Sequence, residues 1–410
     1  MSLTNSPRLL LTIEEARAAV IAGGRAVSVV EYLPLARARG RILARDLVSP
    51  CALPVFDHSA MDGYAFAGEA PEYTIVARIA AGAVADVRLQ PGQAVRIFTG
   101  APVPSGAAAV AMQENVTVLG DKIRLNQLVP PGGNIRHTGE DVASGALLIP
   151  GGRAIDGRHV GLAAAAGLSH VPVLRQLRVA LVSTGDELVA PGLGLSPGQI
   201  YDCNRPMLAA ALERPALELV DFGILPDRRA DIANFFATAG ETFDLIVTTG
   251  GASVGDEDFL AAALSAAGGA IDVARVAIRP GKPFTYGRIG GASVAILPGN
   301  PFAAFVAALL FVRPMIEKAL GLPVPNFAPL PARAGFAQMR APGRVEFLPA
   351  RVQHRSEDGL PVIERLGRGG SARLQPLIAA DGLAVIHPGE NPVAEGDGVG
   401  YLPFGAAFSL

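Results

Sequence analysis

Short apolar runs alternate with helical segments between residues 177 and 325 of this 410-residue chain, which predicts a doubly wound, mostly parallel α/β sheet covered on both faces. β-like runs broken by Pro-Gly turns lie on both sides of that segment, and Ala-rich helical stretches flank the first β-like region. Together these observations predict a multidomain α/β plus β protein. Residues 1–50 and 145–176 form a discontinuous helical linking lobe, 51–144 an inserted mostly-β lobe, 177–325 the central α/β domain, and 326–410 a C-terminal β-barrel-like domain. At about 150 residues per domain, the length alone allows two to four.

The elements follow from local pattern. Thr12 with Glu15 reads as a capping box opening a helix over 12–22. Tyr73–Ile79 and Ala94–Phe98 are strand-like, and Val160–Gly167 is helical. In the centre, Leu177–Ser183, Leu217–Leu225 and Phe243–Thr249 are strands, separated by helices at Arg205–Glu213 and Arg229–Ala239. A helix over Glu257–Ala266 follows, then strands near Val273–Ile278, Phe284–Gly287 and Ser293–Leu297, and a helix from Pro301 to about Leu320. Beyond Pro323-Val324-Pro325 the chain returns to strands at Val345–Val352, Ser371–Leu377 and Leu383–His387. No 20–50-residue period suggests a repeat array.

Composition excludes several function classes. Lys plus Arg total 35 against 37 Asp plus Glu, a net charge of −2, so no global field draws nucleic acid or an anionic membrane. The two cysteines, Cys51 and Cys203, cannot make a disulfide framework or a Cys-rich zinc site, and a reducing, cytoplasmic location is expected. Glu14 and Glu15 interrupt any secretory signal pattern near the start, and the longest apolar run, Pro301–Val312, is too short to span a bilayer.

In a doubly wound sheet, ligands bind at the carboxyl ends of the strands. Four such ends carry Ser183-Thr184-Gly185-Asp186-Glu187, Asp227, Thr248-Thr249-Gly250-Gly251-Ala252-Ser253 and Leu297-Pro298-Gly299-Asn300-Pro301. Their glycines let backbone N–H groups approach an oxyanion, phosphate being the obvious candidate. No Gly-Lys-Ser/Thr triplet marks a Walker loop. Glu187, Asp227, Asp256 and Asp258 would repel an anion unless a cation mediates, which points to Mg²⁺-assisted phosphate chemistry. Asp256 also suits a helix cap. Arg279-Pro280-Gly281-Lys282-Pro283 fixes two cations around a rigid turn suited to an oxyanion. Gly251-Ala252-Ser253-Val254-Gly255 matches a nucleophile-elbow pattern with His354 and His387 downstream, so a serine hydrolase using Ser253 is an alternative. Both histidines, however, fall in the β tail. The charged loop Arg136–Asp141 and the cluster Phe56–Tyr64 each read, taken alone, as solvated loops.

The motifs carry a resemblance. Phe56-Asp57-His58-Ser59-Ala60-Met61-Asp62-Gly63-Tyr64-Ala65, Arg96-Ile97-Phe98-Thr99-Gly100-Ala101-Pro102, Gly139-Glu140-Asp141, Ser183–Leu188, Gly198–Asn204, Thr249–Gly255, Arg279–Phe284, Leu297–Pro301 and Gly343-Arg344 before Glu346-Phe347 follow one order along nearly the whole chain. In these the sequence resembles the MoeA family of molybdopterin molybdotransferases, homologous to the E domain of gephyrin. The resemblance implies a four-domain subunit in a homodimer, an α/β domain similar to molybdopterin adenylyltransferases, and a Mg²⁺-dependent reaction of adenylylated molybdopterin with molybdate that releases AMP. It implies a site between the α/β domain of one subunit and the early β lobe of the other, which would bring in Asp57, Thr99 and Asp141. Glu187, Asp227 and Asp258 would hold the metal. Thr184, Gly185, Gly250, Gly251, Ser253, Pro298, Gly299 and Asn300 would bind the pterin substrate, and Arg279, Lys282, Arg344 and Ser371 the molybdate.

The sequence departs from the family pattern in four places. Arg279 stands where the family usually has Lys, Ala303 where a Ser is frequent, Ala108 where Asp is common, and His58 where Asn is frequent. A molybdopterin adenylyltransferase and a non-catalytic pterin-binding scaffold are the remaining alternative readings of this chain, and a separate molybdopterin adenylyltransferase is an expected partner.

Overall fold

The computed structural model describes residues 10–250, 259–324 and 326–405. They divide into two compact units, one of Met1–Glu31, Gly40–Ile42 and Leu174–Leu410, the other of Tyr32–Arg39 and Leu43–Val173, as far as those ranges are described.

In the first unit, helix α1 (Ile13–Gly23) starts as the capping box requires. Thr12 Oγ1 accepts from the Glu15 N–H at 3.1 Å, and the Glu15 carboxylate accepts from the Thr12 N–H at 2.8 Å. Its apolar face joins the core of the α/β sheet through Ile13, Ala16 and Val20. The sequence places this helix in the linking lobe; the structure places it with the α/β unit, because its buried stripe packs on the C-terminal helices.

The sheet contains β1 (Leu177–Thr184), β2 (Leu217–Leu225), β3 (Leu245–Gly250), β4 (Ala270–Ala274), β5 (Thr285–Ile289) and β6 (Ala292–Leu297), in the order β2-β1-β3-β6-β5-β4. The first four in that order pair in parallel, and β5 and β4 add antiparallel. Helices α2 (Asn204–Leu212), α3 (Arg229–Thr242) and α4 (Phe259–Ala266) connect the strands. One core lies on each face, so β1 and β3 are buried almost throughout, as continuous apolar runs imply.

After β6 the chain continues as α5 (Pro301–Ala307), a wide π turn at Ala308–Val312, and α6 (Arg313–Ala319). Pro314 explains the wide turn. It has no N–H for the Leu310 carbonyl four residues back and its ring crowds that carbonyl. The freed oxygen instead accepts from buried Arg17 Nη1 at 2.8 Å, which ties α1 to the turn.

The expected single strand Val273–Ile278 is two. Arg275 turns the backbone with φ 68°, so β4 ends at Ala274 and the short strand Ile278–Arg279 leaves the sheet. That short strand pairs in parallel with the barrel strand Val345–Arg355, Arg279 opposite Glu346. The barrel closes through Val345–Arg355, Pro361–Arg365, Leu330–Ala334, Gly398–Pro403 and Gly382–Ile386, the last pairing back with the first. The expected strand Ser371–Leu377 is absent: the segment from 366 to 374 is a loop, followed by the short helix Gln375–Ile378. Gly367, Gly369 and Gly370 turn with positive φ, and Pro376 supplies no ladder donor.

The second unit is built on a six-stranded sheet ordered Ala109–Met112, Gly63–Phe66, Gln93–Ile97, Tyr73–Ile79, Lys122–Leu125, Val116–Leu119, with apolar clusters on both faces. A further cluster is capped by the helix Gly157–Ala165, whose N-cap is Asp156. Among the described residues no helix is long and apolar enough to cross a membrane, and Cys51 and Cys203 are free.

Candidate active site

The strand ends of the α/β sheet come together as the parallel register demands. Gly250 (φ 113°) lies so close to β1 that a Cβ there would sit 2.0 Å from the Thr184 carbonyl oxygen, and a Cβ on Gly299 would be 3.6 Å from the Gly250 Cα. Only glycine fits the first position. Asn204, at the start of α2 and buried, fastens this crevice. Its Nδ2 donates to Thr249 Oγ1 at 2.8 Å and to the Gly299 carbonyl at 2.7 Å, while Thr249 Oγ1 donates to the Pro298 carbonyl at 3.1 Å. The buried Thr184 hydroxyl has no hydrogen-bond partner among the described residues. Of the expected substrate-binding residues, Thr184, Gly185, Gly250, Pro298, Gly299 and Asn300 lie here; Gly251 and Ser253 fall outside the described residues.

One rim is acidic. The Asp227 N–H donates to Asp186 Oδ1 at 3.1 Å, and Glu187 curls under Gly185. Partial burial, then repulsion from Asp186 and Glu187, pushes the Asp227 carboxyl up. Carboxylates crowded at a glycine-rich strand end fit a hard divalent cation, and Mg²⁺ characteristically takes one or two protein carboxylates with substrate phosphates completing its shell. Among the described residues no three His, Cys, Asp or Glu side chains are gathered as a metal cage. Asp256 and Asp258 lie outside the described residues.

The other side is basic. A cavity of about 600 Å³ opens between the α/β sheet and the barrel. Pro298, Gly299, Asn300 and Ala303 form one wall, and the turn Arg279–Pro283 another. The barrel contributes Arg344 and the loop 365–373 with Ser371. All four expected molybdate residues, Arg279, Lys282, Arg344 and Ser371, therefore line one space. The Ile278–Arg279 strand sets Arg279 Nε 3.4 Å from Glu346 Oε1, and Gln338 Nε2 donates to Glu346 Oε2 at 3.0 Å, so one buried carboxylate fixes that arginine. Arg275, Arg365, Arg368 and Arg373 also line the cavity. The sequence reading missed them because a strand was expected from Ser371; the signal available was the spacing Arg365-x-x-Arg368-Gly-Gly-Ser-x-Arg373.

Asp57, Thr99 and Asp141 lie in the second unit and gather around its 53–62 segment. Thr138 donates its N–H and its hydroxyl to Asp57 Oδ1, both at 2.8 Å, and His137 Nδ1 lies 3.1 Å from Oδ2. These bonds, Thr138 first, hold the Asp57 carboxyl below its ordinary value. Thr99 donates N–H and hydroxyl to Asp62 Oδ1 at 2.8 and 2.7 Å, lowering Asp62 likewise. Asp141 is anchored by its N–H to the Leu53 carbonyl. The loop Arg136–Asp141 is thus solvent exposed, as expected, and pinned to Asp57 by these bonds. His354 and His387 lie on and beside barrel strands, and neither ring bonds a carboxylate among the described residues, so nothing there completes a hydrolase triad.

A parallel α/β sheet with a glycine-rich, acid-rimmed strand-end crevice beside an arginine-lined cavity defines a class of protein that handles phosphorylated and other oxyanionic substrates. The comparisons narrow that class. Residues 11–167 match the MoeA N-terminal region (domain I and II), 180–318 a probable molybdopterin binding domain, and 331–404 the MoeA C-terminal region (domain IV). A molybdopterin molybdenumtransferase of Haemophilus influenzae is 36% identical over 404 residues, 96% of this chain and 99% of the relative. A molybdopterin molybdenumtransferase 2 of Mycobacterium tuberculosis is 37% identical over 89% of this chain and 92% of its own length. The crystal structure of a molybdopterin biosynthesis MoeA protein from Pyrococcus horikoshii superposes with a TM-score of 0.82 at 30% identity, covering 97% of this chain and 99% of that one. The chain belongs to the MoeA family.

Proposed function

We propose that this chain inserts molybdenum into molybdopterin, acting as a transferase in molybdenum cofactor biosynthesis, on adenylylated molybdopterin and molybdate with Mg²⁺ and with release of AMP. The observation that carries this reading is the Pro298–Asn300 loop. It lines the basic cavity and also takes the hydrogen bonds of Asn204 and Thr249 at the strand-end crevice, so an oxyanion and a phosphorylated pterin would meet across one wall.

In this reading Arg279, Lys282, Arg344 and Ser371 hold molybdate through charge-assisted hydrogen bonds, with Glu346 keeping Arg279 from swinging into solvent. Thr184, Gly185, Gly250, Gly251, Ser253, Pro298, Gly299 and Asn300 hold the substrate's pterin phosphate side. Glu187, Asp227 and Asp258 would hold Mg²⁺, which would supply positive charge to the diphosphate linkage. Positioning and charge neutralisation by the chain's own residues then supply most of the rate. Asp57, Thr99 and Asp141 would reach the reacting groups from the partner subunit of a homodimer. Thr138 and His137 keep Asp57 ionised, which suits it to holding a cationic or hydroxyl group rather than donating a proton. A molybdopterin adenylyltransferase is the natural supplier of the substrate.

The test is incubation of purified protein with adenylylated molybdopterin, molybdate and Mg²⁺. Molybdate-dependent AMP release is expected, and Asp258→Ala should abolish it with the fold intact. Binding without turnover would replace this reading with a pterin-binding scaffold, and labelling of Ser253 by a fluorophosphonate would revive the hydrolase.

A further inference from the structure

The cavity beside the barrel carries more positive charge than one oxyanion uses. Seven basic side chains line it against a single carboxylate, Glu346, which is already engaged with Arg279 and Gln338. Among the described residues Arg275, Lys282, Arg344, Arg368 and Arg373 have no carboxylate partner at all. A tetrahedral dianion such as molybdate is served by the residues already assigned to it, and the cavity is several times larger than such an ion. Arg275, Arg368 and Arg373 are therefore surplus.

Two independent features show that the surplus is built in. The first is backbone: from Gly367 to Arg373 no N–H donates to any acceptor among the described residues, while Gly367, Gly369 and Gly370 adopt φ of 70°, 82° and 110°. Successive free N–H groups on a chain alternating through left-handed glycines form a concavity that binds anions. The second is strain. Arg275 is one of only two non-glycine residues with positive φ among the described residues. That conformation is strained for an L-residue, and it breaks β4 at the point where the chain enters the cavity wall.

We propose that the loop 367–373, with Arg368 and Arg373 and with Arg275 adding positive charge, is a second oxyanion subsite of this cavity. It would take a phosphate or diphosphate group while molybdate occupies the neighbouring subsite. The proposal deepens the function proposed above and rests on it for the identity of the first oxyanion. The subsite would meet the face of the substrate's phosphate group that is turned toward the cavity, across the Pro298–Asn300 wall from the crevice groups assigned to its other face, so that its charge and that of the metal oxyanion are met by arginines rather than by each other.

Isothermal titration of the full chain at low ionic strength, with molybdate, inorganic phosphate, inorganic pyrophosphate and AMP as probes, tests it. Pyrophosphate is expected to bind with its affinity within threefold in saturating molybdate. The double variant Arg368→Ala/Arg373→Ala should weaken pyrophosphate at least tenfold and molybdate less than threefold, and Arg344→Ala should do the reverse. Thermal unfolding of each variant checks the fold, and both loop arginines are exposed, so unfolding is not expected. Phosphate binding as tightly as pyrophosphate assigns the subsite to a phosphate monoester. Preference for pyrophosphate assigns it to the diphosphate linkage, and binding of AMP with the same arginine dependence to its nucleotide side. Full displacement of pyrophosphate by molybdate, or a double variant that binds pyrophosphate like the wild type, overturns the proposal. These binding results are read without turnover, so a failed insertion assay would overturn the proposed function and leave the second subsite standing.

Discussion

Asn204→Ala should loosen the crevice without touching any group that bears charge. In the folded chain Asn204 is 6% exposed and its amide bridges Thr249 Oγ1 and the Gly299 carbonyl at 2.8 and 2.7 Å. One buried and one part-buried hydrogen bond at about 1 kcal/mol each disappear, while Gly299 is itself exposed, so water takes up its carbonyl. Thr249 keeps its bond to the Pro298 carbonyl, so the second acceptor is not orphaned. The expected loss is about 2 kcal/mol in the α/β unit. Urea unfolding of the full chain measures it, followed by two probes because several domains need not melt together. Affinity for adenylylated molybdopterin should fall about tenfold or more, the equivalent of about 1.4 kcal/mol, since the Gly299 loop is no longer held against Gly250. Asn204→Asp keeps the shape and removes the donor, so it should be at least as damaging. A variant Asn204→Ala within 0.5 kcal/mol of wild type, or Asn204→Asp as stable as wild type, would refute the bridging role.

Gly250→Ala drives a methyl into the Thr184 carbonyl at a φ of 113°, and a loss of more than about 3 kcal/mol is expected by thermal unfolding. Arg17→Met removes the donor to the Leu310 carbonyl freed by Pro314; a loss of about 1–3 kcal/mol should appear in urea unfolding, and none would mean that water replaces it. The Asp227 carboxyl is raised in the folded chain, so its contribution to stability is present below the ordinary aspartate range and is lost as pH rises through the raised value. Asp227→Asn should therefore melt higher than wild type near neutral pH and show a smaller stabilisation by Mg²⁺, both measured by thermal shift. Asp57 is lowered, so its contribution is present above the ordinary range and lost as pH falls through the lowered value; Asp57→Asn should flatten that acid limb in a pH series of melting temperatures.

Much of the architecture was legible because its signals are local. The strand Leu177–Ser183 is an almost unbroken apolar run, Leu217–Leu225 is an apolar-rich one interrupted by Glu218 and Asp221, and α1 starts at a capping box written in four residues. The failures have a common cause, which is that pairing partners lie far away in sequence. Val273–Ile278 reads as one apolar strand, yet Arg275 splits it between the sheet and the barrel; nothing in the local pattern shows that Ile278 will find Val345. Ser371–Leu377 has strand-like composition, but three left-handed glycines precede it and Pro376 breaks the ladder. Of the residues read from the strand ends, Thr184, Gly250, Pro298 and Gly299 come together, while Gly251, Ser253, Asp256 and Asp258 lie outside the described residues. Asn204 and Glu346 were not read as site groups because their roles depend on distant partners, and the spacing of the arginines of 365–373 gained meaning only from a cavity wall assembled from two domains.

The wide turn at Ala308–Val312 has a consequence for how this family's α/β core can vary. Pro314 and Arg17 are a matched pair: the ring removes a donor from inside one helix, and a guanidinium from another helix restores it. Replacing Pro314 by an ordinary residue would supply an N–H that competes with Arg17 for the Leu310 carbonyl and so weaken the tie between α1 and the turn. The proline and the arginine should therefore be exchanged together, since a chain that kept the proline without the arginine would leave the Leu310 carbonyl without this donor inside its core.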